Sequence, residues 1–446
     1  MGADHTRPAP STPPGVRRIL VATVVPLFVV TVIATLLLWP RSAPERDPGE
    51  EAPRYHGTVT RVVTEPCPEV PESPSGQTDG PCGTVTVRVE QGPDAGKQVE
   101  TPVPAGPGAP TVAVGDEIVL VKLTDPADPT VSRYDIAEHQ RGKPLVWLAV
   151  LFAAAIVAFG RLRGVAALAG LVASFAILLT FVVPGISAGG SPLLVAITGS
   201  ALIMFVVLYL THGITAQTSV AVLGTLGSLV LTGILGSLAI AATHLTGFGS
   251  EEATTLSMYQ RDVDLHGLLL AGIIIGSLGV LDDVTVTQAA TVTELAHANP
   301  GLSRMQLYRS ATRVGRAHIA STVNTIVLAY AGASLPLLLL LTADSRPVSQ
   351  ILTSEFLTQE IVRSAVATLG LIAAVPLTTG LAALVTAAGR GPADDTTPPA
   401  DPAPRPRPPV DPDAALEALS GPRPGGPSTP APARWPEPER STDTAW

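Results

Sequence analysis

The chain has 446 residues, of which 46% are hydrophobic, 15% charged and 4% aromatic, whereas an average soluble domain is about 25% charged. Its net charge of −9 and isoelectric point near 5.4 exclude nucleic acid as the main partner. From Gly164 to Ser250 there is no Asp, Glu, Lys or Arg at all. No water-soluble domain leaves its surface so bare, so the composition reads as an α-helical polytopic membrane protein with the lipid bilayer as its first partner.

A bilayer core of roughly 30 Å asks for about 20 apolar residues per spanning helix. On that measure the chain offers eight spans: Ile19–Trp39, Leu145–Phe159, Val165–Val183, Leu193–Leu210, Thr218–Leu245, Leu265–Leu281, Ile319–Leu341 and Ser364–Ala388. Lys143 and Arg161 bracket the second, which is the shortest. Residues 1–18 read as a disordered N-terminus, and its Arg7, Arg17 and Arg18 place it in the cytoplasm. Eight crossings then put Arg161, Arg163, Arg304, Arg309, Arg313 and Arg316 on the same side and return the C-terminus to the cytoplasm. The expected location is the cell membrane, multi-pass. Residues 19–39 read as an uncleaved anchor, because the run is longer than a signal-peptide core and Pro44 follows the only small residues near a cleavage position.

Residues 41–143 read as a small extracytoplasmic β-rich domain. Short β-rich runs occur at Tyr55–Val63, Gly83–Glu90, Gln98–Val103, Glu117–Lys122 and Ser132–Ile136, separated by turn clusters such as Gln91-Gly92-Pro93-Asp94 and Val114-Gly115-Asp116. Five strands without a helical period predict a small barrel or sandwich of OB-like type. Both cysteines of the chain, Cys67 and Cys82, fall here. In an oxidising compartment they read as a disulfide in preference to a metal pair or free thiols, since no His stands at ligand spacing.

Residues 145–388 form the helical bundle. Beyond it, residues 391–446 are rich in Pro, Ala, Asp and Arg, too poor in large apolar residues to offset ordering entropy. They read as a disordered cytoplasmic tail; the run from Pro402 to Pro409 has a polyproline composition that reads either as a docking segment for a cytoplasmic partner or, in preference, as solvated tail with no partner.

The stretch from Leu265 to Leu295 carries the most chemistry. Gly272, Gly276, Gly279, Asp283, Thr287, Thr291 and Glu294 are spaced 4, 3, 4, 4, 4 and 3 apart, which is one helical face changing from small to polar. Gly272, Gly276 and Gly279 predict close approach of another helix. Asp282 points to the neighbouring face with Val286 and Ala289. The polar part starts at Asp283, near the expected cytoplasmic end of the span, where two readings stand side by side: a helix projecting into water, or carboxylates lining a cavity within the protein. Asn324, beside Thr325, needs several hydrogen-bond partners in apolar surroundings. The other span hydroxyls, among them Thr225, Ser228 and Thr232, read as packing glue. Pro336 and Pro376 lie inside spans, where proline kinks or breaks a helix. A Gly-rich phosphate loop, a nucleophile elbow and an HExxH motif are all missing, so the expectation is a non-enzyme with no cofactor and no metal.

Read together, Gly276-Ser277-Leu278-Gly279-Val280-Leu281-Asp282-Asp283-Val284, Glu294-Leu295, Gly315-Arg316, Asn324-Thr325, the run from Ala329 to Pro336, Glu360-Ile361-Val362-Arg363-Ser364, and Val375-Pro376-Leu377-Thr378 resemble the YibE/F-like membrane proteins. The family's aspartate after a glycine-rich stretch corresponds to Asp283, and its later glutamate to Glu294. The resemblance implies a polytopic membrane protein with an extracytoplasmic N-terminal domain. The leading expectation is a transporter or channel for a small solute or ion, with Asp283, Glu294, Thr287, Thr291, Asn324 and Thr325 along its path. The alternative is a non-transporting assembly or signalling protein whose outer β-domain binds a ligand or envelope component.

Overall fold

A computed structural model describes residues 13–41, 53–65, 82–103, 111–124, 132–249, 251–260, 263–342 and 347–388. The chain begins with helix α1, Pro14–Leu38. Five strands follow: β1, Arg54–Glu65; β2, Cys82–Val89; β3, Gln98–Pro102; β4, Glu117–Thr124; and β5, Ser132–His139. All pair antiparallel in one sheet of order β3-β2-β1-β4-β5. Alternation puts Val85, Val87 and Val89 of β2 on one face with Val59, Ile118 and Leu120, forming the small core. The edge strands β3 and β5 approach each other without pairing. The sheet therefore curls toward a barrel and is not a two-layer sandwich.

The turn between β2 and β3 depends on Gly92, whose φ of +87° a side chain rarely adopts and which lies against the Tyr55 ring. It carries Asp94, which accepts hydrogen bonds from Lys97 at 2.8 Å, Tyr134 Oη at 2.6 Å and Lys122 at 3.0 Å. Those donors, Lys97 first, hold its carboxyl well below the usual carboxylate range. Cys67 and the side chain of Cys82 lie outside the described residues, and the disulfide with them, as do residues 1–12 and the Pro-rich tail.

The remaining elements are helical: α2, Gly142–Ile177, passing through a π-helical turn at Leu178–Val182 into α3, Val183–Ser187; α4, Pro192–His212; α5, Ala216–Thr243; α6, Glu251–Tyr259; α7, Leu265–Ala298; α8, Arg304–Ala333; α9, Leu335–Thr342; α10, Val348–Leu352; and α11, Glu355–Ala388. Among the described residues, six helical segments are long and apolar enough to cross a membrane: Pro14–Leu38, Gly142–Ser187, Pro192–His212, Ala216–Thr243, Leu265–Ala298 and Glu355–Thr386. Ile19, Val30 and Leu37 on α1, and Trp147, Leu151 and Phe159 on α2, are exposed, which suits a hydrocarbon solvent.

The eight expected spans do not correspond one to one with separate helices, for two physical reasons. The second and third expected spans share α2, which folds back at Arg161, where φ is 51° and ψ −130°. A Cβ on Gly164 would collide with the carbonyl oxygen of Ile156. Residues eight apart stand about 12 Å apart along a straight helix, so the contact requires the reversal. The expected span Ile319–Leu341 is split between α8 and α9 at Ser334. Pro336 supplies the break, since it has no N–H and clashes with the preceding turn. Pro376, in contrast, sits inside a continuous α11.

Helix α7 is the centre of the bundle and packs on α4, α5, α8 and α11. Its buried residues include Ile273, Ile274, Leu278, Leu281 and Val284. Close approach depends on glycines of the neighbouring helices. Gly224 of α5 lies against Thr378, Gly370 of α11 against Thr232, and Gly315 of α8 would place a Cβ 2.7 Å from both Gln288 Oε1 and Val375 Cγ1. These are the small-residue contacts that let membrane helices pack by dispersion.

Candidate functional site

Helix α7 starts at a cap in which Asp264 accepts from the Gly267 N–H at 3.0 Å, and it runs without a break past Asp282 and Asp283. The hydroxyls of Thr225 and Thr285 lie 2.6 Å apart and fix the register between α5 and α7. Asp282 is nearly one turn from Thr285, which brings it level with the middle of the 28-residue α5, roughly 20 Å from either end. The carboxylates are therefore at mid-depth in the bundle, not at the end of a span as the sequence position implied.

The two aspartates face different surroundings. Asp283 is exposed, and so are Gly272, Gly276, Gly279, Thr287 and Glu294; Thr291 is half-buried. The seven residues do share one face, which the neighbouring helices leave largely uncovered. A Cβ on Gly272 or Gly279 would meet nothing within 4 Å, and one on Gly276 only Tyr330 Oη at 3.5 Å. Within the described chain these glycines do not seat another helix. The physical reason is that lipid-facing and packed surfaces are both apolar, so periodicity defines a face without telling which one is covered.

Asp282 turns instead into a cleft of about 300 Å³ between the second leg of α2, α4 and α7. Phe175, Leu178, Ile203, Met204, Val207, Ile275 and Leu278 supply apolar walls, while Ser174 and Gly279 complete the lining. Asp282 Oδ1 is buried and has no hydrogen-bond partner. Leaving a polar atom in that state costs about 1–3 kcal/mol, and more for a charged one. Ser174 Oγ donates to the Gly170 carbonyl at 2.9 Å, so its proton is committed.

Asn324 and Thr325 are exposed on α8, and Thr325 Oγ1 donates to the Ser321 carbonyl at 3.2 Å. No hydrogen bond among the described residues joins either of them to Asp283. Thr291 Oγ1 likewise turns back on its own helix, to the Thr287 carbonyl at 2.8 Å. The expected polar path is thus not gathered into one place.

Beside the cleft, the seam of α5, α7 and α11 is lined by buried hydroxyls. On α5, Thr225 donates to the Ala221 carbonyl at 3.0 Å, Ser228 to Gly224 at 2.8 Å and Thr232 to Ser228 at 2.8 Å, the self-satisfied arrangement typical of packing residues; on α11, the buried Thr378 hydroxyl beside Gly224 has no hydrogen-bond partner. Gln288, fixed where α7 meets α8, donates to the Ala311 carbonyl at 2.8 Å. Asp282, Ser174 and Gln288 stand outside the path expected from the sequence. For Asp282 the available signal was its adjacency to Asp283; the cleft itself is made by residues about 100 positions apart.

A family model described as YibE/F-like protein matches residues 148–388, over half of the chain. The chain belongs to that family. The matched region starts in the first leg of α2 and ends with α11, so it holds every element around Asp282 while α1 and the β-sheet lie outside it. Comparison with curated proteins and with solved structures gives no match. Family membership and the long apolar helices together make this an integral membrane protein.

Proposed function

We propose that this YibE/F-like protein is a multi-pass cell-membrane transporter or channel for a small solute or ion, with Asp282 as the carboxylate that meets the cargo and Asp283 at the open face beside it. The observation that carries the reading is the half-buried Asp282 with an unpartnered oxygen, set at mid-depth in a cleft between three helices. A carboxylate at such depth is costly and marks a pathway in membrane proteins. The arrangement we infer has eight crossings: α1, the two legs of α2, α4, α5, α7, the α8–α9 pair and α11. Both termini are then cytoplasmic and the β-sheet is extracytoplasmic. Support comes from the reversal at Arg161, flanked by Arg163, and from α8 running antiparallel to α7, with Gln288 beside Ala311 and Gly276 beside Tyr330.

Proton flux into proteoliposomes, followed with an entrapped pH dye, tests this. The wild type is expected to conduct, and Asp282→Asn, eluting as a folded protein in gel filtration, to lose flux by about tenfold or more, the equivalent of about 1.4 kcal/mol. Equal flux in the two proteins removes Asp282 from a proton pathway through the protein.

A second reading, the assembly or signalling protein, draws on the α5 side of the seam, where Thr225, Ser228 and Thr232 close on their own helix as packing residues do. A cellular phenotype that Asp282→Asn rescues, but that a chain lacking residues 55–138 or the Pro-rich tail does not, favours it.

A further inference from the structure

Among the lining residues of the Asp282 cleft there is one formal charge and it is negative, since no Arg, Lys or His takes part. Asp283, the next residue, adds a second negative charge nearby. An anion is therefore repelled, and a neutral polar solute finds almost no donor, because the Ser174 proton already goes to the Gly170 carbonyl.

A hard inorganic cation is poorly served as well. Such ions collect six or more oxygens, whereas this cleft offers the Asp282 carboxylate and the Ser174 hydroxyl. No three His, Cys, Asp or Glu side chains gather anywhere among the described residues. What the cleft does offer is one unpaired carboxylate oxygen, the ring of Phe175, the polarisable sulfur of Met204 and aliphatic walls. Aromatic faces attract quaternary and protonated amines, and an apolar body removes hydrocarbon surface from water. The volume of about 300 Å³ is at the small end for ligand sites, which fits a cation built on one ring or a few short branches.

We propose that the cleft between α2, α4 and α7 binds a small organic ammonium, its charge on Asp282 and its apolar body against Phe175 and Met204. This rests on the transport reading above, because it names the cargo of that site.

Calorimetric titration of the full chain in lipid nanodiscs tests it, with benzyltrimethylammonium as the probe and tetramethylammonium as the same charge without the ring. The wild type is expected to bind benzyltrimethylammonium saturably, and tetramethylammonium at least about threefold more weakly, from the lost ring contacts. Asp282→Asn is expected to weaken the benzyl probe about tenfold or more, from loss of the charge–charge attraction in a partly desolvated site. Phe175→Leu changes an exposed side chain and keeps the test open if the aspartate variant fails to fold; it is expected to weaken binding about threefold. Absence of saturable binding to the wild type, or equal affinity in the wild type and Asp282→Asn, overturns the proposal. If Asp282-dependent proton flux persists while binding is absent, the ligand class falls and the transport reading stands. If both flux and binding are absent, both fall.

Discussion

In the seam where α5, α7 and α11 meet, Thr225 and Thr285 bring their hydroxyls within 2.6 Å and Ser228 and Thr232 donate to carbonyls one turn back on α5. Gly224 and Gly370 let the helices close around them, each against a threonine of the partner helix. On another side of α7, Asp282 has a buried oxygen with no partner, and the wall across from it stands back far enough to leave about 300 Å³. On the seam side the hydroxyls of α5 and α7 are hydrogen-bonded, while the Thr378 hydroxyl of α11, pressed against Gly224, lacks a partner; on the cleft side the unpartnered group is a carboxylate with open space in front of it. Satisfied polar groups in a membrane bundle act as packing glue. An unsatisfied carboxylate at the same depth stores a cost that a ligand or a proton can relieve.

The strongest way to break this contrast is to force the seam apart. Gly224→Val is expected to destabilise the bundle by about 3 kcal/mol through overpacking, because even its Cβ has no room beside Thr378. A fall in the thermal transition of the detergent-solubilised protein, with less protein recovered, is the readout. A milder probe is Thr285→Val, which removes one hydroxyl of the buried pair. Interhelical hydrogen bonds in membranes average about 0.6 kcal/mol, so a shift of a few degrees is expected with transport flux retained. An effect of the opposite sign belongs to the open face of α7. Gly272→Ala adds a methyl where nothing lies within 4 Å and is expected to leave stability unchanged or raise it by up to about 1 kcal/mol through helix propensity. A clear loss there would mean that a neighbour covers those glycines.

Much of the layout was readable without coordinates. The five strands fall where alternation and turn clusters place them, because a strand facing one small core leaves a period of two in the sequence. The charge-free stretch from Gly164 to Ser250 announces the bundle for an equally local reason. The division of the spans among helices was not readable in the same way. α2 reverses within a continuous helical run at a single residue, Arg161, and Pro336 divides an apolar stretch that hydropathy alone treats as whole. The site shows the limit most clearly. The spacing from Gly272 to Glu294 does define a face, but in a bilayer the hydrophobic contrast that tells inside from outside in water is missing. The neighbouring residue, Asp282, points inward because of where α2 and α4 pack, and no pattern local to α7 encodes that.

The most direct measurement of whether the cleft differs from the seam is cysteine accessibility. With Cys67 and Cys82 replaced by serine, single cysteines are placed at Ser174, in the cleft, and at Thr285, in the seam, and treated with a small cationic methanethiosulfonate in reconstituted vesicles. The account predicts that Ser174→Cys reacts and Thr285→Cys stays protected. Equal protection at both positions would contradict it, leaving Asp282 sealed from any cargo.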